Sequence, residues 1–334
     1  MGEQAFILIN GPLIFFNLTV NIFYACSLIF PPCNTQRLKQ PLKVLLGFLV
    51  SCSIMYCVSL ASLLCVLKEE TSLEMFLVPL IIVRLYVTYS MTCSVLLNFY
   101  YYIQIVPIQR ALLIWVKRNI KSVMYMILLF NGTFILFCCA VFTAGELFQS
   151  SGLTNISNTW TEYQIDGLYF TYQVCFFSIN VYIFLCLCIC MVSSFSTAHY
   201  LHQHIKRVAQ PGGFFSTPRI QSQLRVTVTG ISQGVLYFLY ATFYFFDSFT
   251  TLYTLSFYFS AWFSFMFTSL YTFGTTVNLA IGQVIFRQRA VDVWKALKAL
   301  CGVGMVTRDM KMNPSRLTAG EMANTATVDV QMSV

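Results

Sequence analysis

The stretch GLYFTYQVCFFSINVYIFLCLCICMVSSFSTA, residues 167–198, contains no Asp, Glu, Lys, Arg or His. A helix needs about 20 predominantly apolar residues to cross the hydrocarbon core of a bilayer, so this run spans it with turns to spare. Its flanks differ in sign. Glu162 and Asp166 precede it, whereas His199, His202, His204, Lys206 and Arg207 follow it. Lys and Arg collect on the cytoplasmic side of membrane spans, which sets the start of this run outside and its end inside.

Six further apolar runs lie at roughly 6–30, 42–67, 78–106, 122–145, 226–246 and 255–285. Threading all seven with alternating direction puts every Lys and Arg on one side, except Lys68 and Arg84. The opposite side holds Glu3, Glu69, Glu70, Glu74, Glu146, Glu162, Asp166 and Asp247. The N-terminus is therefore expected outside and the C-terminal tail inside, in a multi-pass protein of the plasma membrane. A chain that is 57% hydrophobic and 10% charged fits one all-α membrane domain. Its net charge of +8 is a topology signal. Nucleic-acid binding needs basic residues gathered on one folded surface, and here they are shared among loops separated by spans, so nucleic acid is not an expected partner.

The expected organisation is a short extracellular N-terminus (1–5), a seven-helix transmembrane domain (6–285), an amphipathic helix on the inner leaflet (286–301) and a disordered cytoplasmic tail (302–334). The first span is expected to serve as its own insertion signal, since no basic segment precedes it. In 286–301, Phe286, Ala290, Val293, Trp294, Leu297 and Leu300 form an apolar stripe, with Arg287, Lys295 and Lys298 away from it. Cys301 at its end offers a thiol for palmitoylation. The sequon Asn155-Ile156-Ser157 falls in the second outer loop and is a glycosylation acceptor, whereas those at Asn17 and Asn131 lie inside spans.

Ion pumps and proton-coupled transporters carry intramembrane acids or histidines. Within these spans only Arg84 is ionisable, and neither repeated halves nor paired broken helices are visible, which counts against a small-solute transporter. No catalytic constellation is present, and no cofactor is expected. The histidines cluster at the inner end of the fifth span, away from any carboxylate. Cys186, Cys188 and Cys190 cannot wrap a metal ion from one helix and are read as packing residues.

Seven spans with basic inner loops are the plan of a G-protein-coupled receptor, and local motifs narrow it. Asn98-Phe99-Tyr100-Tyr101-Tyr102-Ile103-Gln104-Ile105, followed by Leu113-Ile114-Trp115-Val116-Lys117-Arg118-Asn119-Ile120-Lys121, resembles the third-span exit of the taste receptor type 2 (bitter taste receptor) family. The passage His204-Ile205-Lys206-Arg207-Val208 to Leu236-Tyr237-Phe238-Leu239-Tyr240 is similar to that family's connection between spans five and six, and Asn21-Ile22-Phe23 and Leu49-Val50-Ser51 also fit. Cys52, Ile103 and Thr275 stand where the family has Arg, Lys and His, a drift that suits a divergent, fish-like branch. Ile103-Gln104-Ile105-Val106-Pro107 also matches the Ile-x-Ile-x-Pro of type-1 vomeronasal (pheromone) receptors, the alternative reading. This chain lacks the cysteines those receptors carry in their first two outer loops.

Bundles hold small amphipathic ligands in apolar clefts between helices that contain a few polar groups. Tyr86, Tyr89, Tyr172, Phe176, Asn180, Tyr237, Tyr240, Tyr244, Trp262 and Phe265 enrich the outer halves of the relevant spans in aromatics and small polar groups. The expected ligand-binding residues are Arg84, Met91, Ser94, Tyr172, Phe176, Asn180, Tyr237, Tyr240, Tyr244 and Phe265. Arg84 has two readings: snorkelling to headgroups or pairing with Glu70 or Glu74, and facing the cavity to attract anionic or polar ligands. The resemblance implies that Arg110, Lys117, Arg118, Lys121, His204, Lys206, Arg207 and Arg225 form a docking surface for a gustducin-like heterotrimeric G protein. The expected partners are thus a small bitter-type agonist, that G protein, the lipid bilayer and, as an oligomer, further copies of the chain.

Overall fold

The computed structural model describes residues 3–30, 40–66, 73–107, 110–150, 159–208, 218–252 and 261–312. Among them the chain forms nine helices: α1 (Glu3–Ile29), α2 (Gln40–Val66), α3 (Leu73–Ile105), α4 (Ala111–Arg118), α5 (Ile120–Ser150), α6 (Thr159–Val208), α7 (Pro218–Leu252), α8 (Ala261–Gly282) and α9 (Val284–Met312). In lipid no water satisfies free N–H and C=O groups, so apolar runs of this length close their hydrogen bonds along the helix, except where Pro12 in α1 and Pro79 in α3 supply no N–H. Pro41 and Pro218 sit in the first turns of α2 and α7, where a missing N–H leaves no bond unmade.

Six helices among the described residues are long and apolar enough to cross a membrane: α1, α2, α3, α5, α6 and α7. The expected seventh span, α8, has 22 residues, about 33 Å of helix, which suffices for a core of about 30 Å. It falls outside the six because Thr268, Ser269, Thr272, Thr275 and Thr276 dilute its apolar residues, and all five are buried. Three of these hydroxyls are absorbed locally: Thr268 donates to the Ser264 carbonyl at 2.7 Å, Thr272 to that of Thr268 at 3.1 Å and Thr276 to that of Thr272 at 3.0 Å.

α3 occupies the middle of the bundle, packing against α2, α5, α6 and α7, while α1 closes the ring between α2 and α8. Small side chains at Ser90, Thr92, Cys93 and Ser94 make that position tenable, and every residue from Ser90 to Leu96 is buried. The main core joins Ile14, Tyr56, Leu60, Val87, Met91, Ile183, Tyr237 and Tyr271 from six helices. Glycines permit the closest approaches. A Cβ at Gly274 would stand 2.9 Å from Leu236 Cδ2, and one at Gly282 would stand 3.1 Å from Thr229 Oγ1, which draws α7 and α8 together.

Three features depart from the sequence reading. α6 runs for 50 residues, about 75 Å, and so extends past both ends of the apolar run at 167–198. The extension takes in the polar turns that a hydropathy reading assigns to loops. The second basic loop contains a helix of its own, α4, with Leu112, Ile114 and Trp115 exposed and Val116 buried. Finally, α9 continues to Met312, beyond the boundary expected at residue 301 and into the segment expected to be disordered. A shortage of aromatics removes a packing face but leaves the local helical hydrogen bonds available. Residues 285–334 form a unit separate from the bundle. Within that unit Lys298 Nζ lies 5.5 Å from the Trp294 ring centroid, as i,i+4 spacing allows.

Candidate functional site

One end of the bundle is acidic, with Glu146, Asp166 and Asp247, and the other basic, with Lys43, Arg110, Lys117, Arg118 and Lys121. Towards the acidic end, α7 presents Tyr237, Tyr240 and Tyr244 at spacings of three and four, hence on one face. α8 meets them with Tyr271. The Tyr240 and Tyr271 ring centroids lie 4.9 Å apart, Tyr237 meets Tyr271 edge-on at 6.5 Å, and Tyr240 stacks on Tyr244 at 6.4 Å. Phe265 packs against the same cluster. Met91 and Tyr237 are 2% and 1% exposed and are buried in the same core as Tyr271, and the Tyr237 hydroxyl donates to the Ile183 carbonyl at 3.3 Å. Beside them the Thr92 and Tyr182 hydroxyls share a hydrogen bond of 2.6 Å.

The remaining ligand candidates divide between two places. On α6, Tyr172 meets the Phe142 ring edge-on at 5.0 Å and lies over Gly145, while Asn180 donates its side-chain amide to the Phe176 carbonyl at 2.8 Å. Arg84 is exposed, its guanidinium carbon 6.0 Å from the Phe142 centroid, and it shares a cleft between α3 and α5 with Glu146. Glu70 lies outside the described residues, as does the side chain of Glu74, and so does that of Trp262. Ser94 has its hydroxyl beside that of Tyr271, and it also lines a small cavity nearer the basic end with Asn98, Gln233, Thr275 and Asn278.

Asp247 was not singled out by the sequence reading beyond its place among the outer acids. It is half-buried at the acidic end of α7, and its Oδ2 accepts a hydrogen bond from the Ser264 hydroxyl of α8 at 3.2 Å. An acid three residues beyond Tyr244 on a tyrosine-bearing face was the available signal. Tyr271 and Tyr182 were also missed, because single aromatics inside apolar runs carry no positional signal.

The basic half of the bundle is tied by polar side chains. Asn21 donates to Asn17 Oδ1 at 2.8 Å and to Thr276 Oγ1 at 3.0 Å, and Thr276 donates to Asn17 Oδ1 at 2.6 Å, which joins α1 to α8. Asn278 donates to the Thr229 carbonyl at 2.9 Å and to Gln233 Oε1 at 3.0 Å, while Gln233 donates to Thr275 Oγ1 at 3.1 Å. At the end of α8, Gln283 donates to the Tyr101 hydroxyl at 2.6 Å. Thr275 is thus a structural acceptor between α7 and α8. Cys52 and Ile103 are 3% and 0% exposed. Cys186 and Cys190 are buried in the core and Cys188 is exposed.

At the basic end, Arg110, Lys117, Arg118, Lys121 and Lys206 are exposed, and Arg225 and His204 are partly buried, with the His204 ring 6.1 Å from that of Tyr200. Arg207 lies in α6, but its side chain is outside the described residues, as is that of Cys301 in α9. Asn155 lies outside the described residues altogether.

The model of the family described as taste receptor protein (TAS2R) matches residues 2–298 of this chain, which takes in all of α1 to α8 and the first half of α9. No curated protein matches it.

Proposed function

This chain belongs to the taste receptor protein (TAS2R) family, a family of multi-pass membrane receptors, and on that premise we propose that it detects small bitter-type molecules and signals through a gustducin-like heterotrimeric G protein. The observation that supports this reading is the tyrosine wall of Tyr240, Tyr244 and Tyr271 between α7 and α8, which shares one core with the buried Met91 and Tyr237. Aromatic rings offer large, sequence-tolerant contact surfaces, and Met adapts to different shapes. A mouth with Asp247 and Ser264 on one side and Arg84 on the α3–α5 side adds polar groups of both signs.

The acidic end faces outward in the plasma membrane, and the basic end faces the cytoplasm. Arg84, Tyr172, Phe176, Asn180 and Phe265 line the approach to the tyrosine wall, and Ser94 couples it to the polar cavity below. A ligand changes the signalling state only through different affinities for two packings of the bundle. The hydrogen bond of Asn98 to the Gly230 carbonyl and those that join Gln233, Thr275 and Asn278 are the contacts such a repacking must rearrange. Arg110, Lys117, Arg118, Lys121, His204, Lys206, Arg207 and Arg225 then meet the G protein, Asn155 carries a glycan and Cys301 a palmitoyl chain.

Calcium release in cells that express the chain with a gustducin-type chimeric G protein tests the reading, with bitter compounds set beside steroids and amines. A dose-dependent response to bitter compounds that disappears without the G protein is expected. Responses confined to pheromone-like cues, with surface expression verified, would replace it by the vomeronasal-like alternative.

A further inference from the structure

Away from the tyrosine wall, α2, α3 and α5 enclose a groove of about 620 Å³ on the lipid-facing side of the bundle. That volume lies in the range of about 300–1,000 Å³ typical of small-molecule sites. Phe48 and Leu136 form its rim at 42% and 56% exposure, so it opens sideways into the bilayer. Its floor exists because two positions lack side chains. Gly132 lets the Tyr89 ring lie against α5, where a Cβ would stand 3.2 Å from that ring, and Gly47 has no neighbouring atom within 4 Å of its Cβ position. The Tyr89 hydroxyl donates to the Leu128 carbonyl at 2.8 Å and the Phe48 ring lies 5.9 Å from that of Tyr89, so the walls are held before anything binds.

Two hydroxyls in this groove stand apart from that framework. Ser51 and Tyr86 both line it, and neither side chain has a hydrogen-bond partner among the described residues. Ser51 is eleven residues into α2 and Tyr86 thirteen into α3, or about 16 and 20 Å along their helices. Both lie within the apolar spans of α2 and α3, on a face turned to hydrocarbon rather than to water. A hydroxyl there lacks the partner that water supplies elsewhere. Acyl chains carry no acceptor at that depth, and a charged molecule would be excluded by the cost of desolvation.

We propose that this groove is a second ligand site, for neutral lipophilic molecules that carry a carbonyl oxygen and enter from the bilayer. The Ser51 and Tyr86 hydroxyls donate to that oxygen, the Phe48 and Tyr89 rings flank the apolar body, and Gly47 leaves room for it. The site shares no residue with the tyrosine wall and stands independently of the agonist reading.

The probe is benzophenone, a neutral lipophilic ketone that attaches to adjacent C–H bonds on irradiation, applied to the full-length protein in phosphatidylcholine nanodiscs. Mass spectrometry of the peptides is expected to show saturable labelling of α2, α3 and α5 around Met55. Gly47→Leu, at a position whose Cβ would meet no atom within 4 Å, projects its side chain into the groove and abolishes the saturable component. The double variant Ser51→Ala/Tyr86→Phe weakens it about tenfold, the order expected for loss of hydrogen bonding to a buried acceptor. Melting and monodispersity of both variants are followed in parallel. Labelling that rises linearly with benzophenone, spreads over all lipid-exposed helices and ignores Gly47→Leu would overturn the proposal. Displacement by cholesterol alone, with small ketones failing to compete, would also overturn it and assign the groove to a sterol. Neither agonist nor G protein enters this experiment, so its failure leaves the proposed function untouched.

Discussion

The side-chain amide of Asn98 on α3 donates to the main-chain carbonyl of Gly230 on α7 at 3.3 Å, and its own oxygen lies 3.2 Å from where a Cβ on Gly230 would stand. The bond and the missing side chain are one arrangement, because the amide reaches the carbonyl only across a bare backbone. The same nitrogen lies 3.2 Å from Cys190 Sγ, and Ser194 donates to the same Gly230 carbonyl at 3.2 Å, so α3, α6 and α7 converge at that residue.

Gly230→Ala is expected to push the Asn98 amide away and separate α3 from α7. The loss in stability should be about 1 kcal/mol, as for other interhelical hydrogen bonds in membranes, visible as a lower melting temperature in detergent. Because this contact holds one packing of the bundle, basal calcium signalling without agonist should rise in the same variant. A variant that melts lower with unchanged basal signal would mean that the tie is structural only.

Asn278→Leu removes both donors to the Thr229 carbonyl and Gln233 Oε1 and leaves the latter without that donor in a dry interior. The expected cost is about 1–3 kcal/mol. Pairing it with Gln233→Leu should recover part of the loss, since removing both partners leaves fewer orphaned groups. A double-mutant cycle read by thermal unfolding measures that coupling.

Tyr240→Ala deletes the ring between Tyr244 and Tyr271. If agonists lie on the tyrosine wall, potency in the calcium assay should fall by about tenfold or more, whereas Tyr240→Phe keeps the ring and should stay within about threefold of the parent. Equal losses in the two variants would point to the hydroxyl as the contact instead.

Neutralising Lys117, Arg118 and Lys121 together is expected to reduce the maximum calcium response while agonist binding, measured on membranes, stays unchanged. All three are exposed at the basic end, so the fold should tolerate the change. Loss of binding together with signalling would indicate damage to the bundle or its insertion.

Two glycines give opposite outcomes. Gly11 in α1 has open space around its Cβ position, so Gly11→Ala should stabilise by about 0.5–1 kcal/mol through the reduced freedom of the unfolded chain. Gly274→Val drives a branched side chain into Leu236, and a loss of about 1–3 kcal/mol is expected from overpacking. Thermal unfolding of the two variants beside the parent reads both signs.

Much of the fold was legible in the linear chain. The uncharged run at 167–198 and its companions require helices because lipid offers the backbone no other partner. The motifs around Asn98–Ile105 and Leu236–Tyr240 pointed to the receptor family that the match over residues 2–298 establishes. Less legible were features whose signal is weak in hydropathy. α4 is only eight residues long, and the threonines of α8 lower the hydropathy of the span expected at 255–285, although the hydroxyls of Thr268, Thr272 and Thr276 bond to carbonyls one turn back.

What the amino-acid sequence determined alone was the number of apolar runs, the sign of charge at their ends and the family to which their motifs belong. Each of these is a property of neighbouring residues and of their transfer between water and lipid. Only the tertiary structure decided that Met91 and Tyr237 are buried in one core with the tyrosine wall, that Ser94 also lines a polar cavity, and that Tyr86 and Tyr89 turn to a groove on the lipid side. Those assignments depend on how each helix is rotated about its axis. In a bilayer both faces of a helix can be equally apolar, so rotation is settled by close packing at glycines and by a few buried hydrogen bonds between distant residues.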